Sequence, residues 1–196
     1  MATVIRTTVR CPKCGAGSEF EFYQSINAAE NPELKEAVLS GDIFVHECPH
    51  CGAKQIVRYN LLYHDPDAKV IVCLSDTVFH SDGMEGYTCR LVSDAGSFIE
   101  KVKIFDAGLD DLAVEMCKYV TKGELEKDVD LKFFNFEGAD NEITLTYPEN
   151  GQMQMIRIGF NVYEDCAGII NRNPALREGA SGMVRLDQEW LGAYFK

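Results

Sequence analysis

The sequence contains no run of about eighteen apolar residues, the length that a membrane-spanning helix requires. Residues 1–6 show neither an apolar stretch nor a cleavage pattern, so we expect no secretory signal peptide. Low-complexity tracts are missing too, and 46% of the residues are hydrophobic, which disfavours disorder. These absences predict a folded cytoplasmic protein without a membrane partner.

Basic residues are scarce. The chain has 19 Lys and Arg against 31 Asp and Glu, which gives a formal net charge of −12. Such a charge repels the phosphate backbone of a nucleic acid unless the basic residues gather in one patch. Arg6, Arg10 and Lys13 lie on a first stretch without acids, and we expect them to offset the charge of a metal site. A nucleic-acid partner is therefore disfavoured.

The motifs of several common catalytic sites are also missing. We find no glycine-rich phosphate loop and no His/Glu motif of a catalytic zinc site, and no histidine lies beside any of the four cysteines outside the two Cys-x-x-Cys pairs. The sequence therefore favours a binding protein over an enzyme.

Two copies of one short motif are present, Cys11-Pro12-Lys13-Cys14-Gly15 and Cys48-Pro49-His50-Cys51-Gly52. Two residues between the cysteines of each copy allow a tight turn to aim both sulfurs at one ion. Proline stiffens that turn, and the glycine can take the positive φ that folds the backbone under the metal. The repeat predicts one metal site with four ligands, which are Cys11, Cys14, Cys48 and Cys51.

Zinc is the first choice of metal, because four thiolates complete its tetrahedral shell. Such a site has no open position for chemistry and is therefore structural. Iron is the alternative, since the two motifs resemble the knuckles of rubredoxins, in which four thiolates hold an iron for electron transfer.

The other four cysteines form no close pair in the sequence: Cys73, Cys89, Cys117 and Cys166. They lie in mostly apolar or helical surroundings, so we expect buried, reduced thiols rather than nucleophiles. A reducing compartment suits all eight cysteines.

The residue pattern predicts an α+β fold. Residues 3–10 with 18–24, and 43–47 with 54–63, flank the two knuckles as hairpins of a zinc-ribbon-like unit. A helix that starts at Pro32 is inserted between the hairpins, and a central helix pair begins near Ser97. Residues 131–137, 142–148 and 152–163 predict an antiparallel β meander, which a terminal helix capped by Asp187 follows.

Composition and turn signals divide the chain into three parts. We expect a zinc-ribbon-like lobe over 1–92, a helical connection over 93–128 and a β-rich lobe over 129–196. Residues 121–130 are charged and contain Gly123, so they are the expected linker.

With both knuckles placed, the sequence resembles the bacterial CpXC family, which is named for this repeat. The resemblance extends to four further segments within about the first 125 residues: Ser25-Ile26-Asn27, Asn31-Pro32-Glu33-Leu34-Lys35, residues 61–66 and residues 103–111. It implies a metal-binding cytosolic protein and supplies no catalytic residues. The last 70 residues match more loosely.

Four functions are compatible with these observations. The first is an interaction or regulatory module that binds another protein or a small ligand. The second is a hydrolase or transferase with a site between the lobes, built from His64, His80 and a carboxylate group of Asp106, Asp110 and Asp111. A nucleic-acid-binding ribbon and a rubredoxin-like electron carrier are the other two. For the histidines and these aspartates, turn formation and helix capping are the simpler interpretations.

Overall fold

A computed structural model of the chain describes residues 3–77 and 84–195. It is 34% helix and 33% strand, which confirms the predicted α+β class with N-terminal hairpins, central helices, C-terminal antiparallel strands and a terminal helix. The chain divides into two compact units, Met1–Ile99 and Glu100–Lys196. The expected lobe boundaries after residues 92 and 128 stay predictions.

The first unit is mostly β-structure. Its strands are β1 (Val4–Arg10), β2 (Gly17–Tyr23), β3 (Ser25–Asn27), β4 (Val45–Glu47), β5 (Lys54–Ile56), β6 (Leu61–Asp65), β7 (Val70–Leu74) and β8 (Thr88–Val92). Its helices are α1 (Pro32–Ser40), a short 3-10 turn (Asp42–Phe44) and the start of α2 (Ala95–Asp106).

Two antiparallel hairpins carry the knuckles. Strand β1 pairs with β2 from Val4 opposite Tyr23 to Arg10 opposite Gly17, and β4 pairs with β5 from Val45 opposite Ile56 to Glu47 opposite Lys54. The predicted strand over 54–63 is interrupted at residues 57–60, where the hydroxyl of buried Tyr59 donates to the carbonyl of Ile43 at 3.0 Å. The loop of each hairpin contains one of the two Cys-Pro-x-Cys-Gly motifs.

A separate sheet forms the core of this unit, with the strand order β8-β7-β6-β3. Every residue of β7 is buried, as expected for a strand covered on both faces. Phe98 of α2 is fully buried and packs edge-on against Phe44 and Tyr63, at ring-centroid distances of 5.8 and 6.4 Å. The first turns of α2 thereby close this core.

Helix α2 begins earlier than the Ser97 capping box predicts. The carboxylate of Asp94 accepts hydrogen bonds from the backbone N–H and the hydroxyl of Ser97, both at 2.8 Å. Asp94 therefore takes the capping position, and the helix starts at Ala95. Helix α1 starts at Pro32 as predicted and ends at Gly41, which has φ of 83°.

The second unit contains β9 (Lys132–Glu137), β10 (Glu142–Glu149), β11 (Gln152–Gly159), β12 (Met183–Val184), α3 (Asp111–Leu125), α4 (Phe160–Asn171), α5 (Pro174–Gly179) and α6 (Gln188–Tyr194). Strands β9, β10 and β11 form the predicted antiparallel meander with β10 in the middle. Asp187 caps α6 as predicted, because its carboxylate accepts from the N–H of Trp190 at 2.8 Å.

Two expectations for this unit are wrong at the level of single elements. The expected linker over 121–130 is helical as far as Leu125, because Thr121 is buried and Leu125 packs on an apolar cluster. The strand predicted over 152–163 ends at Gly159, and α4 starts at Phe160. Phe160 and Tyr163 then lie one helical turn apart and stack at 5.0 Å against the same cluster.

Candidate metal centre

The two knuckles have the same backbone hydrogen bonds. In the first, Cys11 N–H donates to the carbonyl of Ala16 and Gly15 N–H donates to the carbonyl of Cys11, both at 2.9 Å. In the second, Cys48 N–H donates to Ala53 and Gly52 N–H to Cys48, also at 2.9 Å. The repeated sequence thus folds into a repeated turn.

The glycine of each knuckle has a left-handed backbone, with φ of 74° at Gly15 and 68° at Gly52. An L-residue with a Cβ adopts this conformation only with strain. The predicted reason for glycine at both positions is therefore confirmed.

The four cysteine sulfurs lie within 4.8 Å of one another. The Sγ atoms of Cys11 and Cys51 are 3.6 Å apart, and those of Cys14 and Cys48 are 3.7 Å apart. A metal with tetrahedral metal–sulfur bonds of about 2.3 Å needs an edge of about 3.8 Å between sulfurs. Each short distance joins one knuckle to the other, so a single ion could bind all four sulfurs.

Contacts other than sulfur also join the two hairpins. Ser18 Oγ of β2 and His46 Nε2 of β4 are 2.7 Å apart, and the buried His46 ring meets Phe20 edge-on at 5.6 Å. The side-chain amide of Gln55 donates to the carbonyl of Arg10 at 3.4 Å. These contacts place the hairpin ends next to each other.

The sulfurs differ in their surroundings. Cys11 and Cys48 are buried, Cys51 is half-buried and Cys14 is exposed. The backbone N–H of Cys14 donates to the Cys11 sulfur and lowers the pKa of Cys11 to about 6. At Cys14, the backbone of Ala16 lowers the pKa, but partial desolvation and the hydrogen bonds with the three neighbouring sulfurs outweigh it and raise the pKa to about 12. Four thiolates this close therefore need a cation, and binding it displaces protons.

The basic residues near the first knuckle are partly engaged elsewhere. Arg6 lies across the hairpin from Glu21, and its Nε donates to Glu21 Oε1 at 2.7 Å. Both side chains are largely exposed on the first hairpin, so Arg6 pairs with a carboxylate of its own hairpin.

The second set of predicted residues takes part in local structure. Nε2 of His64 is 3.2 Å from the Tyr87 hydroxyl. Burial raises the pKa of Asp65, but hydrogen bonds from the backbone N–H of Ala68 at 3.1 Å, from Lys35 Nζ at 3.3 Å and from the Tyr63 hydroxyl at 3.3 Å outweigh burial and lower it. This is the turn role expected for His64-Asp65. His80 and the following Ser81-Asp82 lie outside the described residues.

The aspartates near α3 have structural roles as well. Asp110 caps the helix by accepting from the N–H of Leu112 at 3.0 Å, which confirms the capping interpretation, and it also contacts the guanidinium of Arg177. Asp111 is 1% exposed and accepts from Lys101 Nζ at 2.9 Å. Asp106 is the last residue of α2.

The largest feature that sequence reasoning missed is a cluster of buried charges in the second unit. We call it the buried ion cluster. It consists of Glu100, Lys101, Asp111, Glu115 and Lys118, each at most 4% exposed. Helical periodicity in the sequence predicts that Glu115 and Lys118 lie opposite the apolar stripe of α3 and are exposed to solvent, which is wrong. Only their i,i+3 spacing is a signal of pairing, and it is typical of exposed helix faces.

Lys118 holds the centre of the buried ion cluster. Its Nζ lies 2.9 Å from both Glu100 Oε1 and Glu115 Oε1. Glu100 also accepts from the backbone N–H of Phe133 at 2.7 Å, and Glu115 accepts from the amide of Gln188 at 2.7 Å. Burial raises the pKa of Glu115, but the ammonium groups of Lys118 and Lys101 outweigh burial and lower it. The carboxylate of Glu115 is thus held by the two ammonium groups that contact it.

The remaining four cysteines are all buried free thiols. Burial raises the pKa of Cys73 to about 11, and it also raises that of Cys89. The sulfur contact between Cys117 and Cys166 raises the pKa of Cys117 and lowers that of Cys166. The raised pKa values make Cys73, Cys89 and Cys117 poor nucleophiles.

Fold and site together define a double-knuckle protein with four cysteines that could hold a metal ion. The chain belongs to the CpXC family, whose model, described as CpXC protein, matches residues 9–118. No curated protein and no solved structure matches the chain. Among the described residues, no helix is long and apolar enough to span a membrane.

Proposed function

We propose that this chain is a zinc protein in which the metal is structural, and that it serves as an interaction module for another protein. The observation that supports the metal's role is the sulfur geometry, with cross-knuckle distances of 3.6 and 3.7 Å. Four thiolates at tetrahedral spacing leave no position for a substrate or an activated water. Zinc accordingly holds the hairpins together.

The second hairpin offers the docking surface. Ile56 is 73% exposed, and its cross-strand partner Val45 is 36% exposed. Exposed apolar side chains that lie together typically mark a contact surface. Beside them, Glu47 and Lys54 form an exposed cross-strand pair at 3.6 Å. The second knuckle connects β4 and β5, so a metal bound there would fix the hairpin that carries Val45 and Ile56.

The partner we propose is a protein with a basic surface around an apolar contact. The chain's net charge of −12 attracts such a surface and repels acidic ones. The apolar pair supplies the specific contact, and the charge speeds association.

We expect Ile56→Thr to abolish partner recovery while leaving the metal content unchanged. Ile56 projects into solvent, so threonine in this strand removes the contact without exposing a core position. The measurement is affinity purification of the full chain from its own cells, followed by chemical cross-linking and mass spectrometry. Val4→Thr is the matched control, because Val4 is 49% exposed on the other hairpin.

A supporting result is one partner that cross-links to Lys54, is retained by Val4→Thr and is lost with Ile56→Thr. The interaction role is contradicted if no partner cross-links near the second hairpin, or if Ile56→Thr recovers the partner as well as the unchanged protein does.

A further inference from the structure

A cavity of about 490 Å³ lies at the C-terminal end of α3 in the second unit. Its lining includes Tyr119, Gly123, Glu126 and Gln188. Small-molecule sites in proteins have volumes of roughly 300–1,000 Å³. The cavity is open to solvent and large enough to hold part of a small ligand, and its lining contains none of the four knuckle cysteines.

Gly123 is a helical residue that the helix itself does not require. It lies in the last turns of α3 without a positive φ, and glycine inside a helix is less stable than alanine. A Cβ built at this position has nothing within 4 Å, so no neighbour excludes a side chain. Gly123 therefore borders the open space of the cavity without a side chain that projects into it.

Glu126 departs from the preferred backbone conformation of an L-residue. It ends α3 with φ of 52° and ψ of 30°, a left-handed position usually taken by glycine or asparagine. Strained residues of this kind gather at binding sites. Gly123 and Glu126 thus lie on the wall of one cavity.

In the part of the chain that the structure describes, the pairing of charges around this cavity leaves one carboxylate without a cation. Two lysines and two carboxylates line it: Lys122 pairs with Asp128 at 2.5 Å, and Lys127 Nζ donates to Oε1 of Glu149, outside the lining, at 2.7 Å. The carboxylate of Glu126 forms no ion pair within the described residues. The last carbonyls of α3 add partial negative charge at the same end.

Gln188 gives the cavity one fixed wall. Its amide donates to the backbone carbonyl of Glu115 at 2.8 Å and to Glu115 Oε2 at 2.7 Å, so the buried ion cluster holds this side chain in place. Its Oε1 is buried and has no hydrogen-bond donor among the residues that the structure describes. Buried acceptors are normally paired, so a donor is expected here.

Tyr119 supplies an aromatic wall. It is 39% exposed, and its ring stacks on Phe195 with centroids 5.4 Å apart and planes 28° apart. Aromatic faces attract cations and pack against apolar groups.

We propose that this cavity binds a small organic cation, in which an ammonium group is joined to an aromatic or apolar body. The ammonium lies beside Glu126 and the end of α3, and the body packs on Tyr119. The site is independent of the metal centre and of the docking surface on the second hairpin.

The test is an NMR titration of the full, metal-loaded chain, in which backbone amide shifts are followed. The probes are benzylamine, benzyl alcohol, which keeps the ring without the charge, and benzoate, which reverses the charge. We expect saturable shifts at cavity residues with benzylamine, binding about tenfold weaker with benzyl alcohol and no saturable shifts with benzoate. Benzylamine without saturable shifts, or equal binding of all three probes, overturns the proposal.

Three variants complete the experiment. Glu126→Gln removes the unpaired charge and should weaken benzylamine binding about tenfold. Gly123→Leu should narrow the cavity and weaken benzylamine binding, and circular dichroism checks its fold. Glu124→Gln is the control, because Glu124 is exposed on the same helix end outside the lining. Unchanged binding by Glu126→Gln, or equal losses in Glu126→Gln and Glu124→Gln, also contradicts the proposed site.

Discussion

Replacing Cys48 with serine unfolds the first unit. Cys48 is 1% exposed and lies 3.7 Å, sulfur to sulfur, from Cys14 of the other knuckle, so its loss removes one ligand and one link between the hairpins. Structural zinc contributes roughly 10–16 kcal/mol in small finger peptides, whereas a whole domain is stable by only about 5–15 kcal/mol. A loss of this size is comparable to the whole stability of a domain.

The measurement for Cys48→Ser is metal content together with the amide spectrum of residues 3–77 and 84–99. We expect less than a full equivalent of metal and collapsed shift dispersion for these residues. Cys73→Ser is the matched control, because Cys73 is 2% exposed in β7 and is outside the four-sulfur cluster. A folded Cys48→Ser protein with a full equivalent of metal contradicts the structural role.

Replacing Lys118 with methionine should destabilise the protein by about 3–5 kcal/mol, because it leaves buried carboxylates without their cation. Lys118 Nζ contacts both Glu100 and Glu115 at 2.9 Å, and its side chain is 3% exposed. The measurement is urea unfolding of the unchanged and variant proteins, with the free energy of unfolding extrapolated to water.

Lys122→Met is the control for this prediction, since Lys122 is 34% exposed and its partner Asp128 is 97% exposed. An exposed pair of this kind contributes about 0–1 kcal/mol. If the two variants lose the same stability, the buried ion cluster has no special role in the second unit.

The knuckles could be predicted from the sequence because their geometry is local. A tight turn between two cysteines fixes the hydrogen bonds, and the positive φ at Gly15 and Gly52 depends on a single residue type. The start of α1 at Pro32 and the cap at Asp187 follow from equally local chemistry. Prediction succeeded wherever a few consecutive residues determine the local structure.

Prediction failed where the structure depends on contacts between residues that are far apart in the sequence. Helical periodicity assigns Glu115 and Lys118 to solvent, and only their packing with Glu100 and Lys101 from another helix makes burial possible. The end of β11 at Gly159 likewise depends on Phe160 and Tyr163 packing on an apolar cluster rather than on strand propensity. The cavity beside Gly123 has no sequence pattern of its own.

The most direct test of a structural zinc site is the metal content and the visible spectrum of protein purified without a metal-binding tag. We predict one zinc per chain and no visible absorption, because zinc has a closed d shell. One iron per chain with a red chromophore would contradict the account and make this an electron-transfer protein.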